Sequence, residues 1–244
     1  MMIQIENFTK TYNGTPAVSD LTLSLNDGEV FGLIGHNGAG KSTTIKSLCG
    51  ILPPTSGRLL IDGIDIWRSP LEAKKSLAYI SDSPDRFLKL TAGFYWSFLA
   101  RIFHVSEEDK NRSLAHLTER FAFTQIDNVL IEDMSHGMRQ KVFLIGALLF
   151  DPSVWVLDEP MTGLDPQSAF ELKKLMREHA DAGHTVLFST HVLEVAEKLC
   201  DRIAILQKGR LLYVGSPDAL KAEHHNSSLE EIYLTLTGGN ALEH

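Results

Sequence analysis

The stretch VFGLIGHNGAGKST, residues 30–43, decides the fold of this chain of 244 residues. Its opening part, Val30 to Ile34, is almost uniformly apolar, which predicts a β-strand buried on both faces. The following part, Gly35 to Thr43, has the spacing G-x-x-x-x-G-K-[ST], and this spacing marks a phosphate-binding loop when a strand precedes it and a helix follows. The stretch therefore predicts a strand, a loop that holds phosphate and a helix, in that order.

The residue types in this loop suit the phosphates of a nucleotide. Glycines let the backbone turn its N–H groups toward phosphate oxygens, and the helix that follows adds the positive end of its dipole. We expect Lys41 to reach the β- and γ-phosphates, the Ser42 hydroxyl to coordinate Mg²⁺, and Thr43 to bond the α-phosphate. The other loop residues expected to surround the phosphates are Gly35, Asn37, Gly38, Ala39 and Gly40. A phosphate loop alone leaves kinases, GTPases, transporter ATPases and repair ATPases open.

Acidic residues follow a second apolar run, VWVLDEP at residues 154–160. Carboxylates at a strand end are well placed to bind Mg²⁺ and water at the edge of a parallel sheet. We assign Asp158 to the Mg²⁺ and Glu159 to polarising the attacking water. His191 follows the run TVLFST and is predicted to reach the same phosphates from another strand end. Lys41, Glu159 and His191 are thus the predicted catalytic residues.

Composition narrows the class of protein and its partners. The chain carries 31 acidic and 23 basic residues, a formal net charge of -8, which argues against nucleic acid as a partner. Its two cysteines, Cys49 and Cys200, are far apart and predict neither a disulfide framework nor a metal site. The longest apolar runs, such as Val142 to Phe150, are shorter than the ~20 residues that cross a bilayer, and the opening residues predict no secretory signal. We therefore expect a cytoplasmic protein. Leu242 to His244 resemble the start of a purification tag and are not expected to belong to the fold.

Short apolar runs alternate with helical patterns along the chain, which predicts an α/β fold with a mostly parallel sheet. Alternation of polar and apolar residues from Leu21 to Leu25 and in parts of the run from Arg58 to Ile66 predicts an N-terminal antiparallel β layer. The pattern becomes helical between about Ala92 and Leu149, which predicts an inserted helical subdomain. Asp165 followed by Pro166 predicts the start of a further helix. The best candidates for buried strands are Val30 to Ile34, Val154 to Leu157, Val186 to Phe188 and Ile203 to Leu206.

Taken together, these segments resemble the nucleotide-binding domain of ABC transporters, a P-loop NTPase, from about Ile3 to Gly239. The most specific element is MSHGMRQ, Met134 to Gln140, because it is similar to the family's signature sequence, which other P-loop classes lack. The resemblance implies one ABC ATPase domain over residues 1–239, with a core at 1–87 and 150–239, a helical signature subdomain at 88–149 and a tail at 240–244. It also implies a subunit at the inner face of the cell membrane that hydrolyses ATP with Mg²⁺ and powers transport through a separate permease.

The resemblance assigns roles to further residues. Tyr12 is similar to the aromatic residue that stacks on adenine, although a plain aromatic in the β layer is the alternative. Asp165, in the sequence GLDP, matches an acidic residue of a family loop near the nucleotide, and His191 matches the family's switch histidine. Because the family sandwiches ATP between the phosphate loop of one subunit and the signature segment of its partner, Ser135 and Gly137 are expected to act across a dimer interface.

Two positions depart from the family pattern. His136 replaces the second glycine of the signature, where its bulk is expected either to crowd the γ-phosphate bound by a partner or to donate a hydrogen bond to it. Asp82 stands where most members have glutamine, and its oxygens are still suited to Mg²⁺. An acid at this position, together with SLEEIYLTLTGG at residues 228–239, resembles the branch that exports drugs, antibiotics or sodium.

The residues leave three functions and two assemblies open. The leading hypothesis is the transporter motor, which works as a dimer with itself or with a paralogous ATPase subunit. A soluble ABC-type ATPase acting on nucleic acid is disfavoured by the acidic charge. A regulatory module, in which ATP only controls association, stays open because of His136 and Asp82.

Overall fold

The computed structural model describes residues 1–82, 87–124, 129–225 and 227–238. Gly239 and the predicted tail at 240–244 therefore lie outside the described residues. The central sheet has six strands, of which the first in space runs antiparallel to the second and the other neighbours run parallel. In spatial order the strands are Arg210–Gly215 (β10), Arg202–Gln207 (β9), Val30–Ile34 (β3), Thr185–Thr190 (β8), Val154–Leu157 (β7) and Leu77–Ile80 (β6).

A second sheet of four antiparallel strands is formed entirely by the N-terminal part of the chain. Its strands, in spatial order, are Thr15–Leu25 (β2), Ile3–Tyr12 (β1), Ser56–Ile61 (β4) and Ile64–Asp65 (β5). Leu21, Leu23 and Leu25 are buried while the residues between them are more exposed, as expected for a sheet that covers a core on one face only. The predicted α/β fold with an antiparallel N-terminal layer is confirmed.

Six of the nine α-helices in the described residues begin where a polar side chain accepts a backbone N–H. Thr91, Ser106, Ser135, Asp165, Ser216 and Ser228 each cap a helix in this way, which satisfies N–H groups that have no partner inside the helix. Single turns of 3₁₀ helix occur at Lys74–Ser76 and Ile131–Asp133. The α-helices are Lys41–Leu48 (α1), Pro70–Ala73 (α2), Ala92–Ile102 (α3), Glu107–Arg120 (α4), His136–Leu148 (α5), Pro166–Asp181 (α6), Leu193–Leu199 (α7), Pro217–Glu223 (α8) and Leu229–Leu236 (α9).

Strand β3 shows how the layers are assembled. Phe31 and Leu33 belong to one hydrophobic cluster, which fills the space between the central sheet, α1 and the second sheet. Val30 and Ile34 point to the opposite face, where they join a larger cluster built with helices α3 to α9. Both faces of the central strand are thus covered, and this is why its sequence is almost uniformly apolar. The loops after parallel strands β3, β6, β7 and β8 meet at one edge of the sheet, where most of the predicted site residues lie.

Helix α3 has one buried face and one exposed face. Tyr95 and Trp96 are buried, and the Trp96 indole N–H donates to the Val142 carbonyl of α5 at 2.9 Å. Phe94, Phe98 and Ile102 point outward and are 62, 40 and 50% exposed. The aromatic and apolar residues of α3 are therefore divided between a buried face and an exposed face. Within the residues described, no helix has the length and apolar character needed to cross a bilayer.

Candidate functional site

The phosphate loop leaves β3 and enters α1 in a conformation that depends on two glycines. Gly40 has a φ of 106°, in the region that L side chains rarely adopt. A Cβ on Gly35 would lie 2.6 Å from the Leu206 carbonyl oxygen of β9, so the loop can pass this strand only with glycine at that position. The sequence spacing is thus explained by backbone conformation at one glycine and by close packing at the other.

Lys41 is buried at the start of α1 and is bound on several sides. Its side chain is only 5% exposed, and Nζ donates to the Gly35 carbonyl at 2.6 Å. The same nitrogen lies 3.3 Å from Glu159 Oε1, an ion pair that neutralises its charge. An anionic phosphate that approaches Lys41 competes directly with the Glu159 carboxylate, because buried charges require partners.

Asp158 and Ser42 form a hydrogen-bonded pair at the end of β7. The Ser42 hydroxyl donates to Asp158 Oδ1 at 3.2 Å, and the Ser189 hydroxyl of β8 donates to the same oxygen at 2.6 Å. Burial raises the pKa of Asp158, and the two hydroxyl donors oppose this effect. Asp158 Oδ2 is buried and has no hydrogen-bond partner, so one carboxylate oxygen next to Ser42 is left without a ligand.

This oxygen set fits Mg²⁺. An unpartnered carboxylate oxygen beside a serine hydroxyl offers hard donors, and a cation there would remove the unfavourable burial of the Asp158 charge. Among the described residues, no three or more His, Cys, Asp or Glu side chains are grouped so that they could hold a metal ion. Mg²⁺ at this position would therefore need further oxygens from a bound phosphate, as is usual for this ion in nucleotide sites.

Glu159 is held in an unusual backbone conformation between two other strand ends. Its φ is 48°, which is uncommon for a residue with a side chain. Its N–H donates to the Ser189 hydroxyl at 2.9 Å, and Oε2 lies 3.0 Å from His191 Nδ1. The carboxylate is thus fixed between Lys41 and His191 at the mouth of the site.

These residues surround a cleft of about 260 Å³ at the sheet edge. Eight predicted site residues line it: Asn37, Gly38, Gly40, Lys41, Ser42, Thr43, Asp82 and Glu159. Asp82 accepts a hydrogen bond from the Ser81 hydroxyl at 3.1 Å. The lining also includes Ala17 and His36, which were not predicted. Ser189 was not predicted either. The sequence feature that could have indicated it is a serine near the end of the apolar run TVLFST.

The other eight predicted site residues do not line this cleft: Gly35, Ala39, Asp158, His191, Tyr12, Ser135, Gly137 and Asp165. Asp158 and His191 are nevertheless in contact with its lining residues Ser42 and Glu159. Tyr12 is 43% exposed at the turn between β1 and β2. Ser135 caps α5, and Gly137 packs against the Gly163 carbonyl within the same chain. Asp165 caps α6 by accepting from the Ser168 N–H and hydroxyl at 2.9 and 2.8 Å, and it pairs with Lys141 at 2.8 Å, which holds its pKa well below the ordinary value.

His136 is oriented toward its own chain. A Cβ on Gly163 would lie 2.2 Å from the His136 ring, so the imidazole sits directly on the Gly163 backbone. Gly163 has a φ of 79° in the loop that leads to Asp165. Two contacts, His136 on Gly163 and Lys141 with Asp165, therefore join the start of α5 to this loop. The sequence-based expectation, an effect of His136 on a partner's γ-phosphate, stays a prediction.

The phosphate loop, the acidic strand end and the helical segment all fall within one family model, described as ABC transporter, which matches residues 18–162. The chain belongs to the ABC transporter family. The match spans more than half of the sequence and contains every residue that lines the cleft except Ala17. The chain thus carries the ABC-type ATPase domain that its motifs predicted.

Individual ABC proteins are similar over almost the whole chain. The probable multidrug ABC transporter ATP-binding protein YbhF of Escherichia coli is 31% identical over 96% of this chain, which spans only 41% of the length of YbhF. The linearmycin resistance ATP-binding protein LnrL of Bacillus subtilis is 31% identical over 98% of this chain and 76% of its own length. A solved structure of an ATP-binding subunit of an ABC transporter is 33% identical, with a TM-score of 0.92 over 97% of this chain and all of that one.

Proposed function

We propose that this chain is the ATP-hydrolysing subunit of an ABC exporter and drives a separate membrane permease. The observation that carries the proposal is the placement of Lys41, Ser42 and Glu159 around one cleft, with Asp158 hydrogen-bonded to Ser42. Each of these groups has a distinct function in phosphoryl transfer to water, and the ion pair and hydrogen bonds already hold them together.

The proposed chemistry assigns a step to each residue. Lys41 would bind the β- and γ-phosphates, while backbone N–H groups of the loop from Gly35 to Thr43 hold the remaining phosphate oxygens. Bound Mg²⁺, held by Ser42 and Asp158 with Asp82 as a further candidate, would neutralise charge on the phosphates.

Glu159 would take a proton from water as the water oxygen bonds to the γ-phosphorus. The bond between that phosphorus and the bridging oxygen breaks, which leaves ADP and phosphate. Binding of ATP to Lys41 would first release Glu159 from its ion pair, so the base becomes free when the substrate is in place. His191, 3.0 Å from Glu159 Oε2, would orient the Glu159 carboxylate and contact the γ-phosphate.

A second copy or a paralogous ATPase subunit would complete the site. Ser135 and Gly137 lie outside the cleft of their own chain, and the resemblance assigns them to the nucleotide bound by a partner. Asp165 would lie at the same interface, and Tyr12 would stack on adenine. We also propose the domain division made from the sequence, with 88–149 as the helical signature subdomain between two parts of the core.

Docking of the permease is supported by the exposed face of α3. Phe94, Phe98 and Ile102 form an apolar stripe on this helix, and such stripes on a surface commonly contact another protein. The similarity to a multidrug and to a linearmycin resistance ATP-binding protein supports export as the direction. The subunit would then lie at the cytoplasmic face of the membrane, and the net charge of -8 supports a protein partner rather than nucleic acid.

Phosphate release tests this proposal. Purified protein with Mg-ATP is expected to release phosphate, and membranes that carry the permease are expected to raise the rate severalfold, because binding to the permease favours the closed dimer. Omission of Mg²⁺ should remove the activity. Nucleotide-dependent association without phosphate release would indicate the regulatory module instead, and co-purification with DNA or RNA would indicate an ATPase that acts on nucleic acid.

A further inference from the structure

The C-terminal helix α9 contacts the phosphate loop through Tyr233. This side chain is only 4% exposed, and its hydroxyl accepts a hydrogen bond from the His36 N–H at 2.9 Å. The two rings also meet edge to face, with centroids 5.0 Å apart and planes at 75°. A residue almost two hundred positions away along the chain thus contributes a polar contact to the loop that encloses the cleft.

The position of Tyr233 is fixed at both ends of its helix. Ser228 and Glu231 form a reciprocal capping box at the start of α9, an arrangement that stabilises a helix N-terminus. At the other end, the Gln207 side-chain amide at the end of β9 donates to the Thr237 carbonyl at 2.6 Å. Leu229 and Ile232 are buried in the main hydrophobic cluster. The Tyr233 hydroxyl is therefore a rigid acceptor.

Tyr233 and Lys41 form hydrogen bonds with opposite sides of the same peptide unit. The peptide that joins Gly35 to His36 donates its N–H to the Tyr233 hydroxyl and accepts Lys41 Nζ on its C=O at 2.6 Å. Lys41 also lies 3.4 Å from the His36 carbonyl. Because the peptide is planar, fixing its N–H direction also fixes the direction of its C=O. The orientation of the carbonyl that holds Lys41 is thus set in part by α9.

We propose that Tyr233 is a positioning residue for nucleotide binding, which acts by orienting the Gly35–His36 peptide and, through it, the Lys41 amine. The inference rests on the proposed binding of ATP phosphates by Lys41. Tyr233 itself lies behind the loop and touches no reacting atom. Helix α9 in this account is a part of the phosphate site rather than a peripheral appendage.

The test is Tyr233→Phe, which keeps the ring and removes only the acceptor. The Kd for Mg-ATP, measured by equilibrium titration, is expected to rise about three- to tenfold, the fold-change that corresponds to one lost neutral hydrogen bond. The KM of phosphate release should rise by the same factor, while kcat stays within about twofold because Glu159 is not affected. The melting temperature without nucleotide should change little.

Tyr213→Phe is the matched control. The Tyr213 hydroxyl donates to the Ser216 carbonyl at 2.9 Å. Tyr213 lies in the same C-terminal part of the chain, and this hydrogen bond does not involve the phosphate loop. This variant should leave the Kd unchanged. Gln207→Leu, which frees the far end of α9, provides a second variant and should raise the Kd by a smaller factor.

The outcomes separate this inference from the proposed function. If the unmodified protein binds Mg-ATP and Tyr233→Phe binds it with the same Kd, the positioning role is wrong while the ATPase assignment stands. An equal rise in Kd for Tyr213→Phe, or a fall in melting temperature that accounts for the loss of binding, would also overturn it. Failure of the unmodified protein to bind Mg-ATP refutes the proposed function itself.

Discussion

Replacement of Glu159 by glutamine is expected to lower steady-state ATP turnover by at least about 100-fold, since loss of a general base typically costs that much. An amide cannot accept the proton of the attacking water. The Kd for Mg-ATP should stay within about threefold of its original value or fall, because Lys41 no longer has a carboxylate that competes with the phosphate. Phosphate release and equilibrium binding measure the two effects separately.

Glu194→Gln is the control for this substitution. Glu194 is an exposed acid of α7 that pairs with Lys198 at 2.7 Å, so its loss should leave both turnover and affinity unchanged. Turnover of the Glu159→Gln protein close to the unmodified rate would remove Glu159 from the role of base. His191, 3.0 Å from the same carboxylate, would then be the residue to substitute next.

Replacement of Lys41 by alanine is expected to weaken Mg-ATP binding by about 100-fold or more. The lost contacts are charge-assisted hydrogen bonds, which are among the strong ones in proteins, and they act in a buried setting. The substitution also leaves Glu159 without its ion-pair partner at 3.3 Å, which adds negative charge next to the phosphates. Equilibrium titration with Mg-ATP measures the loss, and circular dichroism confirms that the fold is retained.

Lys174→Ala is the matched control for this loss of charge. Lys174 is 59% exposed on α6 and lies 3.9 Å from Glu178, so its removal takes away a lysine without touching the phosphate loop. A Kd for the Lys41→Ala protein within about threefold of the unmodified value would contradict the assignment of Lys41, because a lost charge-assisted contact costs more than that.

The parts of the fold that follow from local pattern were predictable from the sequence. We recognised strand β3, the phosphate loop and the start of α1 because three features agree: the apolar run, the spacing of the glycines, and the helical pattern that follows them. Asp165 was correctly expected to cap a helix for a similar local reason. Strands β6 and β10 were not predicted. Strand β6 has only four residues, LAYI, which are too few to show a periodic pattern of hydrophobicity. Strand β10 lies at the edge of the sheet, where alternate residues stay exposed and no continuous apolar run forms.

Contacts that depend on distant strands and helices could not be predicted. Ser189 was overlooked because a serine at a strand end has no distinctive pattern, and its hydrogen bonds to Asp158 and Glu159 exist only once β7 and β8 are adjacent. The contact of Tyr233 with the phosphate loop likewise requires α9 to pack beside β9. The orientation of His136 toward Gly163 depends on a loop almost thirty residues later in the chain.

Of the two proposed assemblies, the dimer of identical chains can be tested most directly; in it, ATP joins the Lys41 loop of one copy to the Ser135 segment of the other. Sedimentation velocity of the Glu159→Gln protein tests it most directly, because this variant should retain ATP without hydrolysing it. With Mg-ATP the 27.1 kDa chain is predicted to sediment as a dimer, and without nucleotide, or with Ser135→Arg added, as a monomer. A Glu159→Gln protein that stays monomeric while saturated with Mg-ATP would contradict this dimer of identical chains, and a dimer that forms equally well with Ser135→Arg would contradict the role of Ser135 in it.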